Sequence, residues 1–359
     1  MGVMKKIITD RNSIFIAFLI FIPFLLMLSA CTSTYVAAPR GSVEAMPEWV
    51  RDPYTRFDRQ SYIAIRGSGN TLAFAERSAL GNLAAFFEQH IEINETAIER
   101  YQEIARDGRS AAWSVSTELE TEILRHARFD SLIGAEIADV WNDGWSYYAV
   151  AILNKPRAIQ IYSNIVDANQ RMIDNLLDMP VTERYTLEAF SRYQFAADIA
   201  DMTAPYLNLL SVIGGFVPPF RSGDEYRLQA LNITRAIPIN LRVQNDTAGR
   251  LQGAFARVVS DLGFQSGGTN SRYLLDVYIN TTPVVIAGSP HSWARIEVSA
   301  NLIDTAFGTV LLPYNFNIRE GHTTQAEANN RAVMAAERRI IEEYTHLLSE
   351  YLSRLLPQR

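Results

Sequence analysis

The 359-residue chain is 48% hydrophobic and 20% charged, the make-up of an ordinary globular protein with room for two domains. Its formal net charge is −6, and without a basic cluster it offers little to a phosphate backbone, which speaks against nucleic-acid binding. A single cysteine excludes an internal disulfide and a cysteine-based metal site, so that residue must be explained by its neighbourhood.

Lys5, Lys6 and Arg11 precede an apolar run at 14–28, and Ser29-Ala30-Cys31 follows. A basic flank, a short apolar stretch and small residues are the parts of a secretory signal. The run is short of the roughly 20 residues a spanning helix needs, and Pro23 interrupts it. Leu28-Ser29-Ala30-Cys31 resembles a bacterial lipobox, which implies cleavage before Cys31 once its thiol carries diacylglycerol. Losing residues 1–30 removes three of the 33 basic and one of the 39 acidic side chains, leaving a mature chain near −8. Acyl chains contribute about 0.8 kcal/mol per buried methylene, so two or three hold the protein in the membrane. Thr32, where an aspartate would signal inner-membrane retention, favours the outer membrane. Residues 31–46 lack apolar periodicity and read as a lipidated tether.

The first folded unit is expected over 47–155. Residues 62–65 read as a buried strand ended by Gly67-Ser68-Gly69, with Asn70 as helix cap. Leu72, Ala75, Ala79, Leu83 and Phe86 predict an amphipathic helix over 71–89, in which Gly81 is explained by close packing onto a sheet. A short strand at 91–93 and helices at 95–109 and 116–129 follow. Asn142-Asp143-Gly144, between alternating runs at 131–140 and 145–153, predicts a hairpin, because its turn needs residues that tolerate positive φ. Its second strand puts Tyr147, Ala149, Ala151 and Leu153 on one face and Tyr148, Val150 and Ile152 on the other.

Pro47-Glu48-Trp49-Val50, then residues 62–69 leading into a helix with Asn82-Leu83-Ala84, then 139–153 with Tyr147-Tyr148-Ala149-Val150-Ala151, resemble the LPP-twenty family of bacterial lipoproteins. The resemblance covers 47–156, and flagellar assembly lipoproteins of the P type carry similar domains. It implies a small α+β envelope domain without known catalysis, often associated with the outer membrane. Arg66 departs from the family's smoother approach to the glycines, and some two hundred residues extend past the family domain.

Apolar residues at helical spacing over 156–179 and 181–213, separated by Pro180, predict a helical hairpin within a linker at 156–222. The last unit, 223–359, shows a strand at Ile237, Ile239, Leu241 and Val243, then a helix over 247–262 closed by Gly263. Strands follow at 273–279, 294–303 and 309–319, with a turn at Phe307-Gly308. Thr324 and Glu327 have capping-box spacing and open a helix over 325–355, about 45 Å long. The order is similar, at the level of fold, to the amino-terminal domain of TolB and to penicillin-binding-protein activator lipoproteins.

The expected class is therefore α+β: two small layered domains with mainly antiparallel sheets, joined by the hairpin, behind the signal peptide. His90, His126, His291, His322 and His346 stand singly and read as surface or half-buried residues, so neither a metal nor another cofactor is expected. Glu118, Glu120, Glu122, Glu136, Asp139 and Asp143 read as a solvated surface rather than paired catalytic carboxylates. Gly67-Ser68-Gly69-Asn70 offers backbone N–H groups to an anion, against the plainer reading of a tight turn. Trp141 and Trp145 flank the hairpin turn, where exposed aromatics anchor partners, against packing on Trp49. The reading is a non-enzymatic envelope lipoprotein, attached through Cys31, with protein partners and a second copy of the chain among the candidates. The alternative is a periplasmic ligand-binding lipoprotein using the 67–70 turn or the C-terminal sheet.

Overall fold

The computed structural model describes residues 45–88, 132–268 and 271–356. Cys31 with Leu28, Ser29 and Ala30, most of the tether, and the elements expected at 91–93, 95–109 and 116–129 lie outside the described residues. So do His90, Trp113, Glu118, Glu120, Glu122 and His126. The class is α+β, with one three-stranded and one four-stranded sheet.

The first sheet holds β1 (Tyr62–Gly69), β2 (Ala135–Asn142) and β3 (Tyr147–Asn154) in the order β1-β3-β2, antiparallel throughout. Central β3 is buried on both faces, as its apolar residues on both sides require. Ala149, Ala151 and Leu153 meet the helices, whereas Val150 and Ile152 lie with Trp49 and Val50 from the 3-10 turn at Glu48–Val50. Helix α1 (Leu72–Glu88) buries Ala75, Ala79, Leu83 and Phe87, a stripe at four-residue spacing. Leu72 and Phe86, expected inside, are exposed instead.

The glycines of β1 correct the expected turn. The strand runs on through Gly67, Ser68 and Gly69, paired with Ala149, Tyr148 and Tyr147. The helix is capped not by Asn70 but by Thr71, whose hydroxyl accepts the Phe74 N–H at 3.3 Å. A Cβ on Gly67 would lie 2.1 Å from the Ala79 nitrogen, and one on Gly69 2.9 Å from the Ala75 nitrogen. These glycines let α1 lie directly on the strand. Gly81, to which sequence reasoning gave that task, faces open space.

The expected helical hairpin is present as α2 (Lys155–Leu177) and α3 (Leu187–Ile213). Asn154 accepts the Arg157 N–H at 3.0 Å and opens α2. Thr186 accepts the Ala189 N–H at 3.0 Å and opens α3, later than the expected 181, where a 3-10 turn stands. Tyr162 lies 6.0 Å from Tyr206 ring to ring, and Arg192 reaches the Leu176 carbonyl, so the helices run antiparallel. One end, with Tyr162, Ile165, Tyr206 and Leu210, joins the core under the first sheet. The other, with Leu187 and Phe190, joins the core under the second. Met46–Arg359 forms one compact unit.

A further helix, α4 (Gly223–Ala236), occupies residues to which the sequence reading assigned no element. Ser222 and Glu225 form a reciprocal capping box at its start. Ile237, expected within a strand, follows the helix, and β4 begins at Ile239 (Ile239–Gln244). The second sheet continues with β5 (Tyr273–Val284), β6 (Ser292–Asp304) and β7 (Thr309–His322) in the order β4-β5-β6-β7. Its first pair is parallel, because α5 (Arg250–Asp261) carries the chain across; the rest is antiparallel.

The long terminal helix is α6 (Gln325–Arg339), a π turn (Ile340–Tyr344) and α7 (Thr345–Ser353). Its buried residues, Ala328, Ala332, Ala336, Ile340, Tyr344, Leu348 and Leu352, recur every four positions. In an α-helix such a stripe drifts by about 40° per step. The wider π turn winds it back, keeping the stripe on the sheet. The three alanines admit close approach where β6 and β7 pass beneath.

Gly67→Ala should cost at least about 2 kcal/mol, because the new methyl meets helix backbone that has no rotamer to change. Gly81→Ala should stabilise by about 0.5–1 kcal/mol. Urea denaturation of the two variants checks both signs; equal midpoints would contradict the packing described.

Candidate functional site

The residues singled out at the β2–β3 turn have separate environments. Gly144 takes φ +91°, and the turn is tied by the Asp143 carboxylate, which accepts N–H groups from Ser146 at 2.7 Å and Trp145 at 2.8 Å. The Tyr148 hydroxyl donates to its other oxygen at 3.3 Å. These donors, the Ser146 amide foremost, hold the Asp143 carboxyl below its ordinary pKa against the opposing effect of burial. The turn is thus fixed from inside, and it presents the Trp145 ring to solvent with 90% of its surface exposed. Trp141 instead lies half-buried against Tyr148, ring centroids 5.6 Å apart, in the cluster that holds Trp49.

The other expected residues do not converge. Gly67, Ser68 and Gly69 extend the ladder with β3 rather than forming a loop over a helix start, and Asn70 follows the strand, exposed. Asp139 pairs with Arg56, and Asp143 serves the turn. His291 and His346 are exposed and His322 half-buried, and among the described residues no group of three acidic, histidine or cysteine side chains could hold a metal ion. Trp293 donates to the Ser289 hydroxyl at 2.8 Å, its ring lying against Gly321.

The second sheet shows what sequence reasoning passed over. Its odd-numbered positions in β5 and even-numbered ones in β6 and β7 face the helices, burying Leu275, Val277, Ile296, Val298, Tyr314 and Phe316. The opposite face is polar and cross-registered. Asn280, Glu297 and Asn317 form one row across the three strands, and Tyr278, Ser299 and Asn315 form the next. Together they line a depression of about 360 Å³, within the range of small-ligand sites. One row on, Arg242 of β4 holds Asp276 by two bonds of 2.8 and 2.6 Å, closing that end with a neutralised pair. The sequence carried only part of this signal, Asn315 and Asn317 at alternate positions of the strand expected at 309–319.

No protein-family model matches the chain, and no curated protein matches it. The similar solved structures include the secreted protein HP1454 of Helicobacter pylori, 11% identical over 79% of this chain and 98% of that one, with a TM-score of 0.38. A minor lipoprotein of Acinetobacter baumannii is 15% identical over 34% of this chain and 97% of its own, at a TM-score of 0.23. Lipoprotein GNA1162 of Neisseria meningitidis is 14% identical over 29% of this chain and 94% of its own, at 0.19. Among the described residues no helix is long and apolar enough to cross a membrane.

Trp145→Ala should leave stability within about 0.5 kcal/mol of the parent, whereas Trp49→Ala, at 3% exposure, should cost about 3–5 kcal/mol; thermal unfolding separates them. Because the folded pKa of Asp143 is lowered, its stabilisation of the turn is full above the unfolded value near 3.9 and is lost as pH falls through the lower folded value. The Trp145 and Ser146 amide resonances should therefore shift with a midpoint below about 3.9, and a midpoint above it would contradict the assignment.

Proposed function

We propose that this chain is a lipid-anchored protein of the bacterial cell envelope that works by binding rather than by catalysis. The observation that carries the reading is the order of basic flank, apolar run and Leu28-Ser29-Ala30-Cys31, with the chain's sole cysteine at the position that is lipidated in a lipobox. Thr32 favours the outer membrane, with the folded body reaching into the periplasm on its tether. The resemblance of 47–156 to the LPP-twenty family supports an assembly role, in flagellar or cell-wall machinery. The rigidly presented Trp145 supplies a contact for a protein partner, since large exposed aromatics at ordered turns carry much of the energy of interfaces. A ligand-binding role is the second reading, favoured by the depression on the second sheet.

Cys31→Ala, or globomycin treatment, should leave a precursor longer by the 30 leader residues and without acyl label; normal maturation would overturn the anchor. In intact cells, crosslinking through a photoreactive residue at position 145 should capture an envelope protein. Recovery of none above background would count against the assembly reading.

A further inference from the structure

The outer face of β5, β6 and β7 breaks a local rule. Asparagine is depleted from strands, because its short amide competes with the backbone ladder and gains little from a pleated surface. Yet Asn280, Asn301, Asn315 and Asn317 all stand within strands on this one face, where threonine or a longer polar chain would serve a merely solvated sheet. Sequences that contradict local propensity in this way mark positions kept for another purpose.

The chemistry gathered there is specific. Each amide offers two donors and an acceptor in one plane, Ser299 adds a hydroxyl, and the Glu297 carboxylate stands in the middle strand between Asn280 and Asn317. Among the described residues only Asn280 of these commits its amide to a neighbour, donating to Glu297 at 3.4 Å. Tyr278, 51% exposed, adds an aromatic ring at the edge of the depression. A phosphate or other anion would meet Glu297 as the one charge among the lining residues, and the nearby cations Arg295 and Arg242 are already paired, with Glu297 at 3.8 Å and with Asp276. An apolar protein partner would find few anchors in the depression itself, since Val298 and Phe316 belong to the core beneath and the exposed Val310 stands farther along the face. A surface of planar amides, a hydroxyl, a carboxylate and one aromatic ring suits a ligand that is uncharged, rich in hydroxyl or acetamido groups and flat on one side.

We propose that this face binds a carbohydrate chain, with Tyr278 stacking on a sugar ring and Asn280, Glu297, Ser299, Asn315 and Asn317 pairing with its hydroxyl and acetamido groups. In the cell, access to such a chain rests on the envelope placement proposed above. A binding measurement on the purified protein does not, so its failure would leave that placement standing.

The test is calorimetric titration of the full-length chain in detergent with two probes, a tetramer of N-acetylglucosamine and cellotetraose. Saturable binding of at least one, with Kd on the order of 0.1–1 mM, is expected. Tyr278→Ala and Asn317→Ala should each weaken it about tenfold or more, while Met334→Ala, on the exposed side of α6, leaves it unchanged. Asn317 is exposed, so its variant keeps the proposal testable should Tyr278→Ala fail to fold. No saturable heat from either probe would overturn the proposal. So would binding that survives Asn315→Ala with Asn317→Ala, or a protein ligand held through these residues by a chain that binds neither sugar.

Discussion

The register of α2 against α3 is the constraint on which the rest of the molecule depends. Along a largely apolar seam, a buried polar pair helps to set it, beside the Arg192–Leu176 bond: the Asn169 amide donates to the Thr203 hydroxyl at 2.9 Å, and that hydroxyl donates to the Ile199 carbonyl at 2.7 Å. Sliding the helices by a turn would leave the Asn169 N–H unpaired as well as its oxygen, at about 1–3 kcal/mol. Fixing this register fixes which residues emerge at each end. Tyr162 and Tyr206 meet under the first sheet, Tyr162 donating to the Ile133 carbonyl at 2.9 Å. Phe190 meets Phe264 at 5.0 Å, and the Leu187 N–H donates to the Tyr273 hydroxyl at 3.2 Å, under the second. Burial raises the pKa of Tyr206 and Tyr273 to about 12, so both remain neutral donors or acceptors at any physiological pH.

The two sheets then differ in what they leave open. Both faces of the first are used, one by α1 and the hairpin, the other by the Trp49 segment. The second takes α5 and the terminal helix on one face, and among the described residues its other face has no covering layer. That division makes the first sheet a body with a projecting tip, at Trp145, and the second a polar, concave platform.

Much of this was legible wherever a residue type has one physical use. Asn142-Asp143-Gly144 announced its turn because positive φ has few tenants, and the alternation in β5–β7 announced strands with a buried and an open side. Glycine in β1 was misread because a sequence does not distinguish a glycine that bends from one that lets a helix approach. Helix α4 escaped because exposed Leu228 and Leu231 blur its buried stripe of Tyr226, Ala230, Ile233 and Thr234, which does recur at helical spacing; its Ser222–Glu225 box was the signal to heed. The parallel pairing of β4 with β5 was implied by the strand–helix–strand order over 237–279, because a crossover helix returns the chain in the same direction. The asparagine-rich face became visible only once register placed residues from three strands side by side.

If α2 and α3 belong to both cores, the sheets share one cooperative unfolding event. Native-state hydrogen exchange of Ile165→Ala, which opens a cavity under the first sheet only, tests this most directly. The slowest amides of β3 and of β6 should lose protection by the same free energy. Loss confined to β3, with β6 unchanged, would contradict the shared core and divide the molecule into two independent bodies.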